Sequence, residues 1–201
     1  METTGERRPR TRPPEERRKG LMDAAERLFL AQGVAATTIE QITQGAGVSK
    51  GAFYLYFASK QQVRAALGER FGRSHLAHIQ AATRRRRESD WWARLAAWTE
   101  ASAGFYLDQI RLHDMLFYEA SAPSREGLVE NVVIDDLEAL LRAGAEAGAW
   151  AAESPRAAAV FLFSGVHGVV DDAVIRAPPV NRKRLLAEIR ALCFGAVGRA
   201  T

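Results

Sequence analysis

Cysteine is almost absent from this chain of 201 residues, and Cys193 alone excludes both an intramolecular disulfide and a multi-cysteine zinc site, which fits a reducing compartment. The signatures of phosphate and acyl-transfer chemistry are missing as well. There is no Gly-x-x-x-x-Gly-Lys and no Gly-x-Ser-x-Gly elbow, and Gly45-Ala46-Gly47 precedes a helical pattern without a strand before it or a third glycine. His75 and His78 stand three apart, yet no third ligand lies at a usable spacing, so they read as two exposed histidines on a basic helix. The pairs Asp135-Asp136 and Asp171-Asp172 read as solvated faces or caps, because neighbours on a helix point apart and make no carboxylate dyad. No strand-like alternation occurs, no apolar run approaches the roughly 20 residues that span a bilayer, and the N-terminus is too polar for a signal peptide. A soluble, cytoplasmic, non-enzymatic protein without cofactor or metal is the expectation.

What the chain does have is charge sorted by position. Residues 1–87 hold 17 Lys and Arg against 8 Asp and Glu, a balance of +9, whereas residues 88–201 hold 11 against 16, a balance of −5. A localised positive field attracts polyanions and makes their binding steeply salt-dependent. Most of the first 14 residues are polar, basic or proline, including Arg7, Arg8, Arg10, Arg12, Pro9, Pro13 and Pro14, and they read as a flexible arm. Such an arm serves either as a groove-tracking tail or as a solvated terminus. The run Arg84–Arg87 reads as a solvated loop between helices.

A hydrophobic share of 47% and helical spacing of apolar residues place the rest in an all-α fold with a substantial core. The periodicity, with Gly and Pro as punctuation, predicts about nine helices, near 15–32, 38–45, 49–55, 59–82, 90–107, 109–120, 124–147, 154–176 and 181–198. The helix beginning near Ser59 leaves the basic third of the chain and enters the remainder, so it is the natural mechanical coupling; Gly68 and Gly72 within it serve close packing or are simply tolerated.

Residues 38–60 carry the most specific information. Thr38 can cap a helix with Ile39 and Ile42 on its apolar face, Gly45 and Gly47 permit a tight turn, and Ser49 can cap a second helix. Ile39, Ile42, Ala46, Val48 and Phe53 fall where two crossing helices need apolar contacts, while Lys50, Gly51, Ala52, Tyr54, Leu55 and Tyr56 are left outside. That division suits a helix lying in the major groove. Gly51 allows close backbone approach, Lys50 can donate to guanine, and Ala52 or Leu55 can touch a thymine methyl. Thr38, Ser49, Tyr54, Tyr56 and Lys60 are suited to phosphate contacts.

The motif Ala46-Gly47-Val48-Ser49-x-Gly51-x-Phe53-Tyr54-x-Tyr56-Phe57 with Ser59-Lys60 resembles the helix-turn-helix module of the tetracycline-repressor (TetR) family of transcription regulators. Upstream, Ala24-Ala25-Glu26-Arg27-Leu28-Phe29-Leu30-Ala31-Gln32-Gly33, with Thr37-Thr38-Ile39 and Ile42, is similar to that family's first helix and its lead into the second. The match covers roughly the first third of the chain; beyond it only length and helical character agree. The resemblance implies an arm at 1–14, a three-helix DNA-binding domain at 15–60 and a helical ligand-binding and dimerisation domain at 61–201.

It also implies a small-molecule effector held among apolar groups, for which Trp98, Phe105, His113, Phe117, Tyr118, Phe163 and His167 are the candidates, with Asp114 and Asn131 as further polar groups. It implies a homodimer paired through the last two helices, here Phe161, Gly165, Val169, Leu185, Ile189 and Leu192, whose twofold symmetry would match a palindromic operator on double-stranded DNA. Burial of both helices within one protomer is the other possibility. The expected function is a ligand-responsive regulator, a repressor released by its effector; the alternative is a helical small-molecule carrier with only non-specific polyanion binding.

Overall fold

With apolar residues at three-and-four spacing and no strand alternation, helix is the conformation that buries one face of every segment, and a computed structural model of the chain is all-α. It describes residues 13–118, 131–176 and 178–198. Among these are nine helices: α1 (Pro14–Ala36), α2 (Ile39–Ala46), α3 (Lys50–Tyr54), α4 (Lys60–Thr83), α5 (Trp91–Asp108), α6 (Ile110–Phe117), α7 (Val132–Glu146), α8 (Pro155–Arg176) and α9 (Arg182–Val197). They agree with the sequence expectations to within a few residues. Residues 124–130 of the expected seventh helix, and residues 1–12 of the arm, lie outside the described residues.

The chain forms two units, residues 1–67 and 68–201, and α4 passes from the first into the second. In the first, Leu21, Met22, Ala24, Ala25 and Phe29 of α1 are buried, as are Ile42 and Ala46 of α2, Phe53 of α3, and Phe57. Gly33 interrupts the helical dihedrals of α1 at φ 80°, and buried Thr37 donates its hydroxyl to the Gly33 carbonyl at 2.8 Å. Thr38 and Gln41 then form a reciprocal capping box, Gln41 N–H donating to Thr38 Oγ1 at 3.2 Å and Thr38 N–H to Gln41 Oε1 at 2.8 Å. Gly47 ends α2 in the left-handed region at φ 67°, ψ 38°. Gly45 does something other than turn the chain: it lies inside α2, where an added Cβ would stand 3.3 Å from Ala24 Cβ, so it lets α1 and α2 approach.

In the second unit α5 packs with α8 and α9, and α7 with α8, around Leu95, Trp98, Tyr106, Ile134, Leu137, Leu141, Trp150, Leu162, Val166 and Ile189. Asp136 is no solvated face. It accepts from Trp98 Nε1 at 3.1 Å and Gln80 Nε2 at 3.0 Å, which satisfies the one polar atom of a buried indole. Asp135 pairs with Arg156 at 2.6 Å, and Arg84–Arg87 are exposed.

By length and a mean hydropathy of 1.6, α8 is apolar enough to cross a membrane, which the sequence reading did not credit. Its Leu162, Val166 and Val170 are instead buried in the helical core of the second unit.

Candidate nucleic-acid interface and effector site

The candidate reading surface is built by burial of one residue. Phe53 is fully buried, which turns the rest of α3 outward: Lys50, Gly51 and Tyr54 are exposed, Ala52 is half-buried, and Leu55, just past the helix, is 78% exposed. Tyr54 stands edge-on against Phe53 with ring centroids 5.4 Å apart, so its ring is oriented while its hydroxyl remains outside. Ser49 caps α3 by accepting from Ala52 N–H at 3.2 Å. The hydroxyls of Thr38 and Ser49 each accept one backbone N–H and retain their own proton for an acceptor. Tyr56 is half-buried.

Two lysines are placed differently from the sequence expectation. Lys50 is exposed, but its ammonium is hydrogen-bonded to the Glu40 carboxylate of α2, which raises the lysine pKa and lowers that of Glu40. Lys60, expected at a phosphate, instead turns its ammonium to the carbonyls at the end of α1: Val34 O at 2.8 Å, Ala35 O at 3.1 Å and the Thr37 carbonyl. Three donors meet three acceptors, so Lys60 secures the segment that leads into the capping box. Lys60→Met is therefore expected to destabilise the first unit by about 1–3 kcal/mol. Hydrogen exchange of the amides between residues 34 and 46 would read this as lost protection, whereas unchanged protection would show the contacts to be incidental.

In the second unit, six of the seven candidate effector residues come together. His113 of α6 lies beside Phe117 and Tyr118, with centroids at 4.9 and 5.6 Å, and beside His167 of α8 at 5.6 Å; His167 in turn lies 4.3 Å from Phe163. Phe105 joins through Phe71, 5.4 Å from it, which is itself 5.8 Å from His113. Trp98 belongs instead to the core beside Asp136, and Asn131 caps α7 by accepting from Val133 and Ile134 N–H at 3.0 and 3.3 Å.

The sequence reading left four members out. Phe71 links the two halves of the cluster, and His75, expected to be exposed, is 3% exposed and stacks on Phe105 at 4.7 Å with its ring nitrogen 3.1 Å from Ser102 Oγ. Tyr106 lies 4.6 Å from His113 and 4.2 Å from His167 and donates its hydroxyl to Asp171 at 2.6 Å. Asp171 also accepts from Tyr118 at 3.1 Å, so it faces the cluster, while its neighbour Asp172 stays outside with Arg176 at 2.7 Å. A signal for His75 was available: it falls on the i, i+4 row between Phe71 and Ile79.

Burial sets the protonation of this cluster. It pushes His75 down to about 3, and His113 and His167 down to about 4, with repulsion from His167 adding to the effect on His75. The Tyr106 and Tyr118 phenols are pushed up, first by burial and then by Asp171. All three imidazoles are therefore neutral at pH 7. His167 Nδ1 lies 2.9 Å from the Phe163 carbonyl, which can only accept, so Nδ1 carries the proton and Nε2 is left as an acceptor.

The expected pairing face is narrower than the sequence suggested, with four of its six residues outside the core. Phe161 of α8 is 68% exposed and Leu192 of α9 is 61% exposed; Gly165 is exposed and Val169 half-buried. Leu185 and Ile189 point into the core of their own protomer and add almost nothing to the outward face. Gly168 and Ile175 extend the open row on α8.

A cap, a left-handed turn and a five-residue helix with its aromatic anchor buried define a helix-turn-helix protein. Residues 21–67 match the family model of bacterial regulatory proteins, tetR family. The regulator SrpR of Pseudomonas putida is 47% identical over 49 residues, 24% of this chain and 23% of SrpR. TtgR of the same species is 39% identical over 61 residues, 30% of this chain and 29% of its own length. The chain thus aligns with less than a third of the length of these curated relatives. At the level of structure, SmeT, the repressor of the Stenotrophomonas maltophilia multidrug efflux pump SmeDEF, is 26% identical with a TM-score of 0.68 over 89% of both chains. A protein of unknown function from Rhodococcus sp. RHA1 is 19% identical with a TM-score of 0.77 over 96% of this chain and all of the other, which shows the shared fold. Residues 21–67 thus match the tetR family of regulators by sequence, and the fold is similar to that of SmeT over 89% of the chain.

Proposed function

We propose that this protein is a cytoplasmic, ligand-responsive transcriptional repressor that binds a palindromic operator as a homodimer, with residues 15–60 reading DNA and residues 61–201 holding the effector and the partner. The observation that carries the reading is the burial of Phe53, which turns Lys50, Gly51, Tyr54 and Leu55 outward on a helix inside the family-matched segment. Lys50, Ala52 and Leu55 read base edges; Thr38, Ser49, Tyr54 and Tyr56 hold phosphates. Lys60 supports the interface from behind. Phe161, Gly165, Gly168, Val169, Ile175 and Leu192 form the pairing face, because small residues beside large exposed apolar ones let two helices approach and bury the rest. No catalytic step is assigned to any residue.

SmeT has been solved in complex with triclosan, which supports a small-molecule effector for a chain of this fold. Effector binding acts as a population shift: a ligand that prefers an arrangement in which the two reading helices miss the operator spacing lowers operator affinity by its differential affinity for the two states. Selection from a random duplex pool at physiological salt is the test. Wild type is expected to enrich a palindrome, and Lys50→Ala and Tyr54→Ala to bind it roughly tenfold or more weakly, with Lys50→Ala also relaxing one position of each half-site. Equal, salt-sensitive binding to all duplexes would defeat the proposal.

A further inference from the structure

The aromatic cluster of the second unit is acceptor-rich and negatively charged. Asp171 is its charged centre, and its hydrogen-bond partners are two phenols, Tyr106 and Tyr118; among the described residues no Lys or Arg pairs with it. A second carboxylate, Asp114, lies close enough for Asp171 to raise its pKa, after burial, and it stands 3.5 Å from His113 Nδ1, on an imidazole that is neutral at pH 7. Three donors of the cluster are already committed, since both phenol protons go to Asp171 and the His167 Nδ1 proton goes to a backbone carbonyl. What remains on offer is a carboxylate, the lone pair of His167 Nε2 and the faces of several aromatic rings.

We propose that this cluster is the effector site and that it selects lipophilic organic cations, aromatic or benzylic ammonium compounds, over neutral and anionic molecules of the same shape. The inference rests on the reading of the second unit as an effector domain. A cationic nitrogen answers each feature at once: its charge complements Asp171, its N–H groups meet the acceptors, and its apolar body lies against rings whose faces attract cations. A carboxylate ligand would meet the reverse of every one of these. It would add a negative charge beside two others, and it would find both phenol protons and the His167 Nδ1 proton already engaged.

The test uses three probes with one ring system and three charges: 2-naphthylmethylammonium, 2-naphthylmethanol and 2-naphthoate, titrated calorimetrically into the full-length protein at pH 7. The ammonium is expected to bind at least tenfold more tightly than the other two. Asp171→Asn removes the charge, its single amide oxygen accepting from one phenol and its NH2 donating to the oxygen of the other, and is expected to reduce that preference to within about threefold, while Tyr118→Phe keeps the carboxylate and is expected to preserve it. Thermal melts followed by tryptophan fluorescence establish that each variant is folded.

An undiminished preference in Asp171→Asn, its loss in Tyr118→Phe, a preference for naphthoate, or no binding of any probe would overturn the proposal. Duplex selection with the same preparations separates this failure from that of the regulator reading. Retained operator selectivity with no charge preference removes the cation site alone, and absent selectivity removes the regulator whatever the probes do.

Discussion

Gly144→Ala is expected to destabilise the second unit by about 3 kcal/mol or more, although alanine is the better helix former. In an open helix the exchange would gain about 1 kcal/mol. Here an added Cβ would stand 2.0 Å from Trp150 Cζ2, 2.4 Å from Cε2 and 2.7 Å from Cη2, distances that no packed structure tolerates. The indole has nowhere to go. Trp150 is 1% exposed, its Nε1 donates to Leu141 O at 2.8 Å, and Trp92 meets it edge-on at 5.4 Å. The loop that delivers it is fixed as well, with Gly148 at φ 72° and Ala149 N–H donating to Gly144 O at 2.8 Å. Moving the ring away forfeits a buried hydrogen bond and opens a void beside Leu141, so overpacking and its relief both destabilise. All four tryptophans, Trp91, Trp92, Trp98 and Trp150, lie in residues 68–201, so urea unfolding followed by tryptophan fluorescence reports this unit specifically. A lowered midpoint at unchanged slope is expected. A raised midpoint would mean that helix propensity outweighs the contact and that Trp150 sits elsewhere.

That contact also marks where sequence reasoning stops. The caps at Thr38 and Ser49 and the turn at Gly47 were legible because each is a local device, fixed by residues three or four apart. Trp150 against Gly144 and Lys60 against the end of α1 are tertiary, and nothing in the spacing of either residue announces its partner. Gly45 shows how a local reading goes astray: two glycines near a turn looked like two turn residues, yet one left-handed residue suffices and the other serves helix approach. His75 and Asp171 were judged by residue type, as surface groups, whereas their place on apolar rows of α4 and α8 decides their burial. In α9 the apolar face is divided, Leu185 and Ile189 inward and Leu192 outward, and hydrophobicity cannot distinguish a protomer's own core from a face that waits for a partner.

Acidification should loosen the second unit well before its carboxylates are fully protonated. His75, His113 and His167 are held at about 3, 4 and 4, all by burial first, while the same groups in the unfolded chain titrate near 6.5. Between these limits the unfolded chain binds more protons than the folded one, so stability rises with pH; it is fully present above about pH 6.5 and is lost as the pH falls towards 4. From pH 7 to pH 5 each histidine should account for roughly 2 kcal/mol of that loss, and the three together for several kcal/mol. Asp114 opposes the trend, because its raised folded-state pKa favours the folded state as protons are added, but one half-exposed carboxyl does not offset three buried imidazoles. His113→Phe isolates the effect, since its ring neighbours Phe71, Tyr106 and Phe117 accept another aromatic ring. The variant is expected to lose about 2 kcal/mol less than the wild type between pH 7 and pH 5 in urea unfolding read by tryptophan fluorescence. Parallel losses in the two proteins would show that His113 takes up its proton without unfolding and that the cluster opens to water more readily than its burial implies.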